Sequence, residues 1–146
     1  MTSWSIRDFR SEDEAGLIEM WKLSGIYRRW NDPQRDIARK TENMQKTGFG
    51  LFLVVQESSG RIIGSVMAGY DGHRGSVNYL AVHPEAQKQG IGRALMAEVE
   101  RWCEAEGCPK INLLVRTDNE AVKAFYARLG YGVDEVSGLS RRLIED

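Results

Sequence analysis

A short glycine-containing segment carries the clearest chemical signal in the sequence. Gly90 and Gly92 stand just before a stretch with strong helical periodicity. The start of a helix presents unpaired backbone N–H groups and the positive end of the helix dipole, and glycines let an anion approach that backbone closely. The segment therefore predicts a phosphate or diphosphate site, although a simple tight turn into the helix is equally compatible with it. The other residues of the segment are Gln87, Lys88, Gln89, Ile91 and Arg93.

Two common nucleotide-binding patterns do not fit this segment. A P-loop has Lys and then Ser or Thr after its last glycine, whereas Gly92 is followed by Arg93 and Ala94. A dinucleotide fingerprint has a third glycine where Leu95 stands, and an acidic residue at the end of the next strand. That strand ends at Val115-Arg116-Thr117, without an acid. The predicted diphosphate therefore does not belong to ATP or NAD held in these ways.

The elements around the segment alternate between strand and helix periodicity. The strand, helix and strand that span Val77 to Val115 form a right-handed unit with adjacent parallel strands. The whole order predicts an α/β fold in which helices cover a mixed sheet. The predicted strands are Trp4–Phe9, Leu51–Val55, Arg61–Tyr70, Val77–His83, Ile111–Val115 and closing strands in Tyr131–Leu143, and the predicted helices begin near Ser11, Asp32, Gly90 and Asn119.

Length and composition predict a single domain that spans residues 1–146. The 20 basic and 21 acidic residues give a net charge of −1, which provides no general attraction to nucleic acid or to anionic lipid. No apolar run has the length of a membrane span, and the N-terminus lacks the pattern of a secretory signal. Two cysteines and two histidines predict neither a metal site nor a disulfide framework. We therefore expect a cytoplasmic protein that binds neither nucleic acid nor membranes.

Two motifs resemble those of the GCN5-related N-acetyltransferases, the GNAT family. The segment Gln87–Gly92 is similar to the family signature [QR]-x-x-G-x-[GA]. The segment Asn119–Tyr131 is similar to the family helix N-x-x-[AV]-x-x-[FL]-Y-x-x-[LM]-G-[FY]. The two motifs occur in the family's order with a strand between them. Three further segments resemble the bacterial YpeA-type acetyltransferases more narrowly, and they are Trp30–Pro33, Gly69–Gly75 and Arg141–Asp146.

The resemblance implies a fold and a co-substrate. The fold would be a mixed, largely antiparallel sheet of six to seven strands with four flanking helices and a splayed parallel pair of strands at the cofactor cleft. The co-substrate would be acetyl-CoA. Its diphosphate would bind the N–H groups of the glycine segment, and its pantetheine arm would pair with backbone groups of Leu80 and Val82, as an added strand would. The Val82 N–H would polarise the acetyl carbonyl. The implied binding residues are Leu80, Ala81, Val82, Gln87, Lys88, Gln89, Gly90, Ile91, Gly92, Arg93 and Asn119.

The resemblance also implies an N-acetyltransferase in which a primary amine attacks the thioester directly. Tyr126 would give a proton to the departing thiolate as general acid, whereas the residue alone is also compatible with a core aromatic beside Phe125. Asn119 would contact the pantetheine arm or simply cap the helix. Retention of Tyr126 argues against the alternative hypothesis, an acyl-CoA-binding sensor without catalysis.

The base that deprotonates the amine is not evident, and this motivates the sensor hypothesis. Ser76 stands where some family members carry a glutamate. Asp71, His73 and a water chain that ends on backbone or on Tyr79 are the alternatives. A histidine has an ordinary pKa near ~6.5, which suits a base, but His73 is equally compatible with hydrogen bonding to its own turn.

The acceptor is expected to meet two loops. Trp30 and Asn31 lie in a connection rich in aromatic and arginine residues that would close over a substrate and bind a carboxylate, or would fill the core. Asp71 and Arg74 would contact the acceptor or pair with each other. The candidate acceptors are a small-molecule amine, an amino acid or a protein N-terminus. The predicted C-terminal strands would pair with those of a second copy in a homodimer. Alternatively, the charged residues beside them would prevent the edge of the sheet from pairing with another chain.

Overall fold

Five strands form one mixed sheet in the computed structural model, which describes residues 3–146. The sheet order is β1-β2-β3-β4-β5, and every neighbouring pair is antiparallel except β4 and β5, which are parallel. The strands are β1 Trp4–Asp8, β2 Leu51–Glu57, β3 Ile62–Tyr70, β4 Gly75–Val82 and β5 Ile111–Asn112. The helices are α1 Glu14–Ser24, α2 Pro33–Thr47, α3 Ile91–Ala105 and α4 Glu120–Arg128. The mixed α/β architecture with four helices confirms the predicted fold class.

The chain divides into two compact units, Met1–Asn112 and Leu113–Asp146. The first contains the sheet with α1, α2 and α3, and the second contains α4. The expectation of one domain over residues 1–146 stays a prediction.

Local signals account for the limits of α2. The carboxylate of Asp32 accepts hydrogen bonds from the N–H groups of Gln34 at 3.0 Å and Arg35 at 3.3 Å, so it caps two donors that the helix leaves unpaired. Pro33 occupies the first helical position, where a missing N–H costs nothing. Gly48 ends the helix with φ +66°, a conformation that glycine adopts without strain.

Helices α1 and α3 cover opposite faces of the sheet. Ser65 accepts a hydrogen bond from Trp21 of α1, and Gly64 lies against Ile91 of α3. Because adjacent strand residues face opposite ways, the two helices lie on different sides of β3. Trp21 is fully buried, and its neighbours on that face include buried residues of all three central strands. Those neighbours are Leu17, Met20, Phe52, Val54, Met67 and Ala81.

The sheet has five strands rather than the predicted six to seven. β5 ends at Asn112 instead of Val115, and residues 131–143 form no strand. Apolar residues recur there at every third position, at Val133, Val136 and Leu139, whereas a half-buried strand needs them at every second position. All three side chains are largely exposed, with 92% of Val133 accessible. The expected closing strands are therefore wrong, because this spacing gives no apolar face to bury.

Candidate active site

The start of α3 is an uncapped helix N-terminus. Gly90 precedes the helix with φ +78°, and no side chain caps it. Within residues 3–146, the N–H groups of Gln89 to Arg93 meet no protein acceptor. A Cβ built on Gly90 would find no atom within 4 Å, so the approach to these donors is open. Lys88 also has a positive φ, of 65°, which is rare for a residue with a Cβ. This open, positively polarised backbone suits an anion.

A second glycine brings the start of α3 close to the sheet. A Cβ on Gly64 would lie 2.9 Å from Cγ2 of Ile91, closer than real Cβ atoms come, and 3.0 Å from Cγ2 of Val55, which is a tight contact. Gly64 therefore lets the first residue of α3 pack directly on β3. The role of Gly64 could not be predicted from the sequence, because its partner Ile91 lies 27 positions away and nothing local distinguishes Gly64 from a turn glycine.

The parallel strands β4 and β5 pair only at one end. Gly75 pairs with Ile111 and Ser76 with Asn112, and the N–H of Gly75 donates to the carbonyl of Lys110 at 2.8 Å. Beyond Ser76, β4 has no strand partner on this side in the described chain. The splayed parallel pair expected from the sequence is confirmed.

The open side of β4 exposes the main chain of its last residues. The N–H of His83 donates to the carbonyl of Ile63 on β3 at 2.8 Å. Successive N–H groups along a strand point to opposite sides, so the N–H of Val82 points away from β3. Leu80 lies two residues before Val82 on the same strand. Ala81 is buried and pairs with Ser65. The end of β4 can therefore accept a further extended chain at its edge.

Tyr126 and Asn119 lie in the second unit, on and before α4. The ring of Tyr126 packs edge-on against Phe125 and Tyr131, with centroids 5.1 Å and 5.5 Å away. Burial raises the pKa of Tyr126 to about 12, and its hydroxyl donates to no acceptor in the part of the chain that is described. Asn119 accepts a hydrogen bond from the N–H of Val122 at 3.2 Å, so it caps α4.

The loop between β3 and β4 satisfies its own polar groups. Oδ1 of Asp71 accepts the N–H groups of His73 at 2.7 Å and Arg74 at 2.8 Å. The hydrogen bond from the N–H of Arg74 lowers the pKa of Asp71 most, and the bond from the N–H of His73 lowers it further. Arg74 in turn donates to the carbonyl of His73 at 2.9 Å. Within residues 3–146, Asp71 and Arg74 form no ion pair with each other, so the carboxylate shapes the turn. An acceptor-binding role for the three residues stays a prediction.

The connection between α1 and α2 presents its aromatic residue outward. Trp30 is 51% exposed, so it does not fill the core. The N–H of Asn31 donates to the carbonyl of Arg28 at 3.0 Å, which closes a turn. An exposed indole beside a tight turn is compatible with contact to a substrate, and that role for Trp30 and Asn31 stays a prediction.

Three further observations concern metal-binding side chains, the buried histidine and the length of the helices. In residues 3–146, no three His, Cys, Asp or Glu side chains are grouped to hold a metal ion. His83 is buried, and its Nδ1 accepts the N–H of Glu85 at 3.0 Å, which caps a short 3₁₀ turn. No helix in the same range is long and apolar enough to cross a membrane.

Comparison with known proteins decides the family. The model of the acetyltransferase (GNAT) family matches residues 11–131, which include the uncapped helix start, the splayed strands and α4. The chain belongs to the GNAT acetyltransferase family. This acetyltransferase is 48% identical over 141 residues to acetyltransferase ECA0875 of Pectobacterium atrosepticum, an alignment that covers 97% of this chain and 96% of that protein.

Solved structures share the fold of this acetyltransferase. The PaiA N-acetyltransferase of Thermoplasma acidophilum in complex with coenzyme A has a TM-score of 0.79 and 24% identity, over 93% of this chain and 94% of that one. Glucosamine-6-phosphate N-acetyltransferase of Arabidopsis thaliana has a TM-score of 0.75 and 18% identity, over 95% of this chain and 98% of that one. The narrower similarity to YpeA-type acetyltransferases stays a prediction.

Proposed function

We propose that this protein is an acetyl-CoA-dependent N-acetyltransferase that moves the acetyl group directly to a primary amine, with Tyr126 as general acid. The observation that carries the proposal is the uncapped start of α3, where the N–H groups of Gln89 to Arg93 are unpartnered and Gly90 leaves the approach open. The residues present fit a diphosphate, because a helix N-terminus favours negative charge. When bound, acetyl-CoA supplies an activated thioester.

Backbone groups do most of the binding in this proposal. The N–H groups of residues 89–93 hold the diphosphate, and the exposed side chains of Lys88 and Arg93 add positive charge beside it. The open edge of β4 binds the pantetheine arm through the main chain of Leu80 and Val82. The Val82 N–H donates to the acetyl carbonyl oxygen, where negative charge develops during attack by the amine.

Tyr126 supplies the proton that the departing sulfur needs. Because its pKa is about 12, the phenol stays protonated at neutral pH and keeps its proton until the sulfur leaves. A hydroxyl without a protein acceptor in the described chain can donate to a ligand at no cost in internal hydrogen bonds. Asn119 contributes by capping α4, the helix that carries Tyr126.

The acceptor in this proposal is a small-molecule amine, an amino acid or a protein N-terminus. The Arabidopsis neighbour is named for an amino sugar phosphate, which carries a primary amine. We place the protein in the cytoplasm, in keeping with the free thiols of Cys103 and Cys108. A homodimer belongs to the proposal as well, and light scattering of the full chain tests it.

Acetyl-CoA turnover over pooled amino acids, diamines and peptides, with mass spectrometry of the products, tests the function. An acetylated amine is the expected result. Tyr126→Phe should keep coenzyme A binding and slow turnover, whereas Tyr70→Phe, a control on β3, should change neither. Binding of coenzyme A without any acetylated product would favour the acyl-CoA sensor instead. Absence of binding would overturn the proposal.

A further inference from the structure

Tyr79 has a backbone conformation that is unusual in the middle of a strand. Its φ is +55°, a left-handed value that is strained for a residue with a Cβ. The pairing of β3 with β4 shifts here, because Ser65 pairs with Ala81 but Met67 pairs with Asn78. Two residues of β4, Tyr79 and Leu80, therefore face Val66 alone, which is a β-bulge.

Buried contacts hold this bulge in place. The hydroxyl of Ser65 donates to the carbonyl of Tyr79 at 2.9 Å, and Trp21 donates to the same hydroxyl oxygen at 2.8 Å. The indole ring of Trp21 also stacks on the ring of Tyr79, with centroids 4.1 Å apart. A strained conformation that its surroundings enforce this strongly is a signal of function.

The bulge directs the phenol of Tyr79 to α2. Its hydroxyl donates to Oδ2 of Asp36, in the first turn of that helix. The side chain of Asp36 is 24% exposed, and its other oxygen lies 3.7 Å from Arg39 in a looser pair. The carboxylate is therefore reachable from solvent while it polarises the phenol. A hydroxyl that donates to a carboxylate becomes a better acceptor in return.

Tyr79 also lies beside the proposed reaction centre. It directly precedes Leu80 and stands three positions before Val82, the proposed donor to the acetyl carbonyl. At ~3.3 Å per residue, the two positions are within about 10 Å along β4. The adjacent side chains of Ser76 and Asn78 are exposed, so this part of the strand is accessible. Ser76 cannot act as a base, and an amine that arrives protonated must lose a proton before it attacks.

We propose that Tyr79 is the catalytic residue that accepts a proton from the acceptor's ammonium group and that Asp36 is the group that takes up this proton through Tyr79. This inference rests on the proposed function. An N–H bond of the ammonium breaks as Oη of Tyr79 takes the proton, and the proton of the hydroxyl moves to Oδ2 of Asp36. The neutral nitrogen then bonds to the acetyl carbon as the carbon–sulfur bond breaks. The nitrogen loses its second proton to solvent, and Tyr126 gives its own proton to the departing sulfur. Solvent then reprotonates Tyr126 and takes the first proton from Asp36, so each turnover releases one proton.

Two conservative variants of the full chain test the inference. Tyr79→Phe keeps the ring that stacks on Trp21 and the backbone carbonyl that accepts the hydrogen bond from Ser65. Asp36→Asn keeps a side-chain oxygen that accepts the hydrogen bond of the phenol but cannot take up its proton. The probes are the pool of amino acids, diamines and tripeptides, which arrive protonated, and hydroxylamine, which is neutral at pH 7.5. Tyr70→Phe, which removes an exposed hydroxyl that donates to the carbonyl of Gly72, is the matched control.

We expect both variants to lose about 100-fold or more in kcat with protonated amines. Their enzyme-dependent rates with hydroxylamine, after subtraction of its direct reaction with the thioester, should stay within about 3-fold of the wild type. Their affinity for acetyl-CoA by calorimetry should do the same, and Tyr70→Phe should match the wild type throughout. Equal losses with both kinds of acceptor would show a structural role and overturn the inference, as would unchanged rates with protonated amines. A wild type that binds coenzyme A but acetylates no amine would overturn the proposed function itself, and the inference with it.

Discussion

The indole N–H of Trp21 donates to the hydroxyl of Ser65 at 2.8 Å, and neither side chain is exposed to solvent. The hydroxyl of Ser65 in turn donates a hydrogen bond to the carbonyl of Tyr79 at 2.9 Å. One hydroxyl thus joins α1, β3 and the bulge of β4. These two hydrogen bonds make the geometry of the bulge depend on a buried serine of the neighbouring strand.

Ser65→Ala should destabilise the protein by about 1–3 kcal/mol, because it leaves the buried N–H of Trp21 and the carbonyl of Tyr79 without their partner. Urea denaturation measures this loss. Ser5→Ala, on the exposed side of β1, is the control and should have little effect. A loss below about 0.5 kcal/mol for Ser65→Ala would show that the bond does not contribute to the stability of the bulge.

Gly90→Ala should weaken coenzyme A binding beyond its effect on folding. Gly90 and Gly48 both have positive φ, +78° and +66°, and a Cβ on either meets no atom within 4 Å. Both substitutions to Ala should therefore cost about 1–2 kcal/mol of stability from backbone strain. Only Gly90→Ala places a methyl group at the proposed diphosphate site. Calorimetric titration should show weaker binding for this variant alone, and equal affinities would remove Gly90 from the binding site.

Gly64→Ala should displace the start of α3. The new Cβ would lie 2.9 Å from Ile91 and 3.0 Å from Val55, and such overpacking costs about 1–3 kcal/mol. Denaturation and coenzyme A titration should both show a loss. Gly69→Ala on the same strand is the control, since its Cβ would meet Ser76 at an ordinary 3.5 Å. Similar effects of the two glycine substitutions would contradict this account.

Asp13 should make stability depend on pH in the acid range. Arg7 donates to both oxygens of Asp13 at 2.8 Å, and this hydrogen bonding lowers the pKa of the buried carboxyl. A lowered folded-state pKa means that the stabilisation is complete above the unfolded value of about 3.9 and is lost as the pH falls through the folded value.

Asp13→Asn should therefore lose about 2 kcal/mol at neutral pH and show a flatter decline of stability below pH ~4 than the wild type. Urea denaturation at several pH values provides the measurement, and Asp8→Asn, an exposed residue on β1, is the control. Parallel pH curves for Asp13→Asn and the wild type would argue against the pair as the cause.

Signals within a few residues of one another determined where the helices begin and end. Asp32 and Pro33 specify the start of α2, Asn119 caps α4, and Gly90, which has no side chain to cap α3, leaves the first donors of that helix unpaired. These features depend on hydrogen bonds over three or four positions, so the sequence alone is sufficient to predict them. The two motifs that resemble the GNAT family are local in the same sense.

Contacts between distant residues were decided only by the tertiary structure. Asp36 meets Tyr79 across 43 positions, and Gly64 meets Ile91 across the sheet, so no spacing rule marks either pair. The expected strands after Tyr131 failed because a strand forms only where a partner edge and an apolar face are both available. Local backbone chemistry thus determined the helix starts and the candidate anion site by itself. Packing between remote segments decided the number of strands, the bulge in β4 and the contact of Asp36 with Tyr79. The energy of such packing depends on residues far apart in the chain, so it cannot be read from a short stretch of sequence.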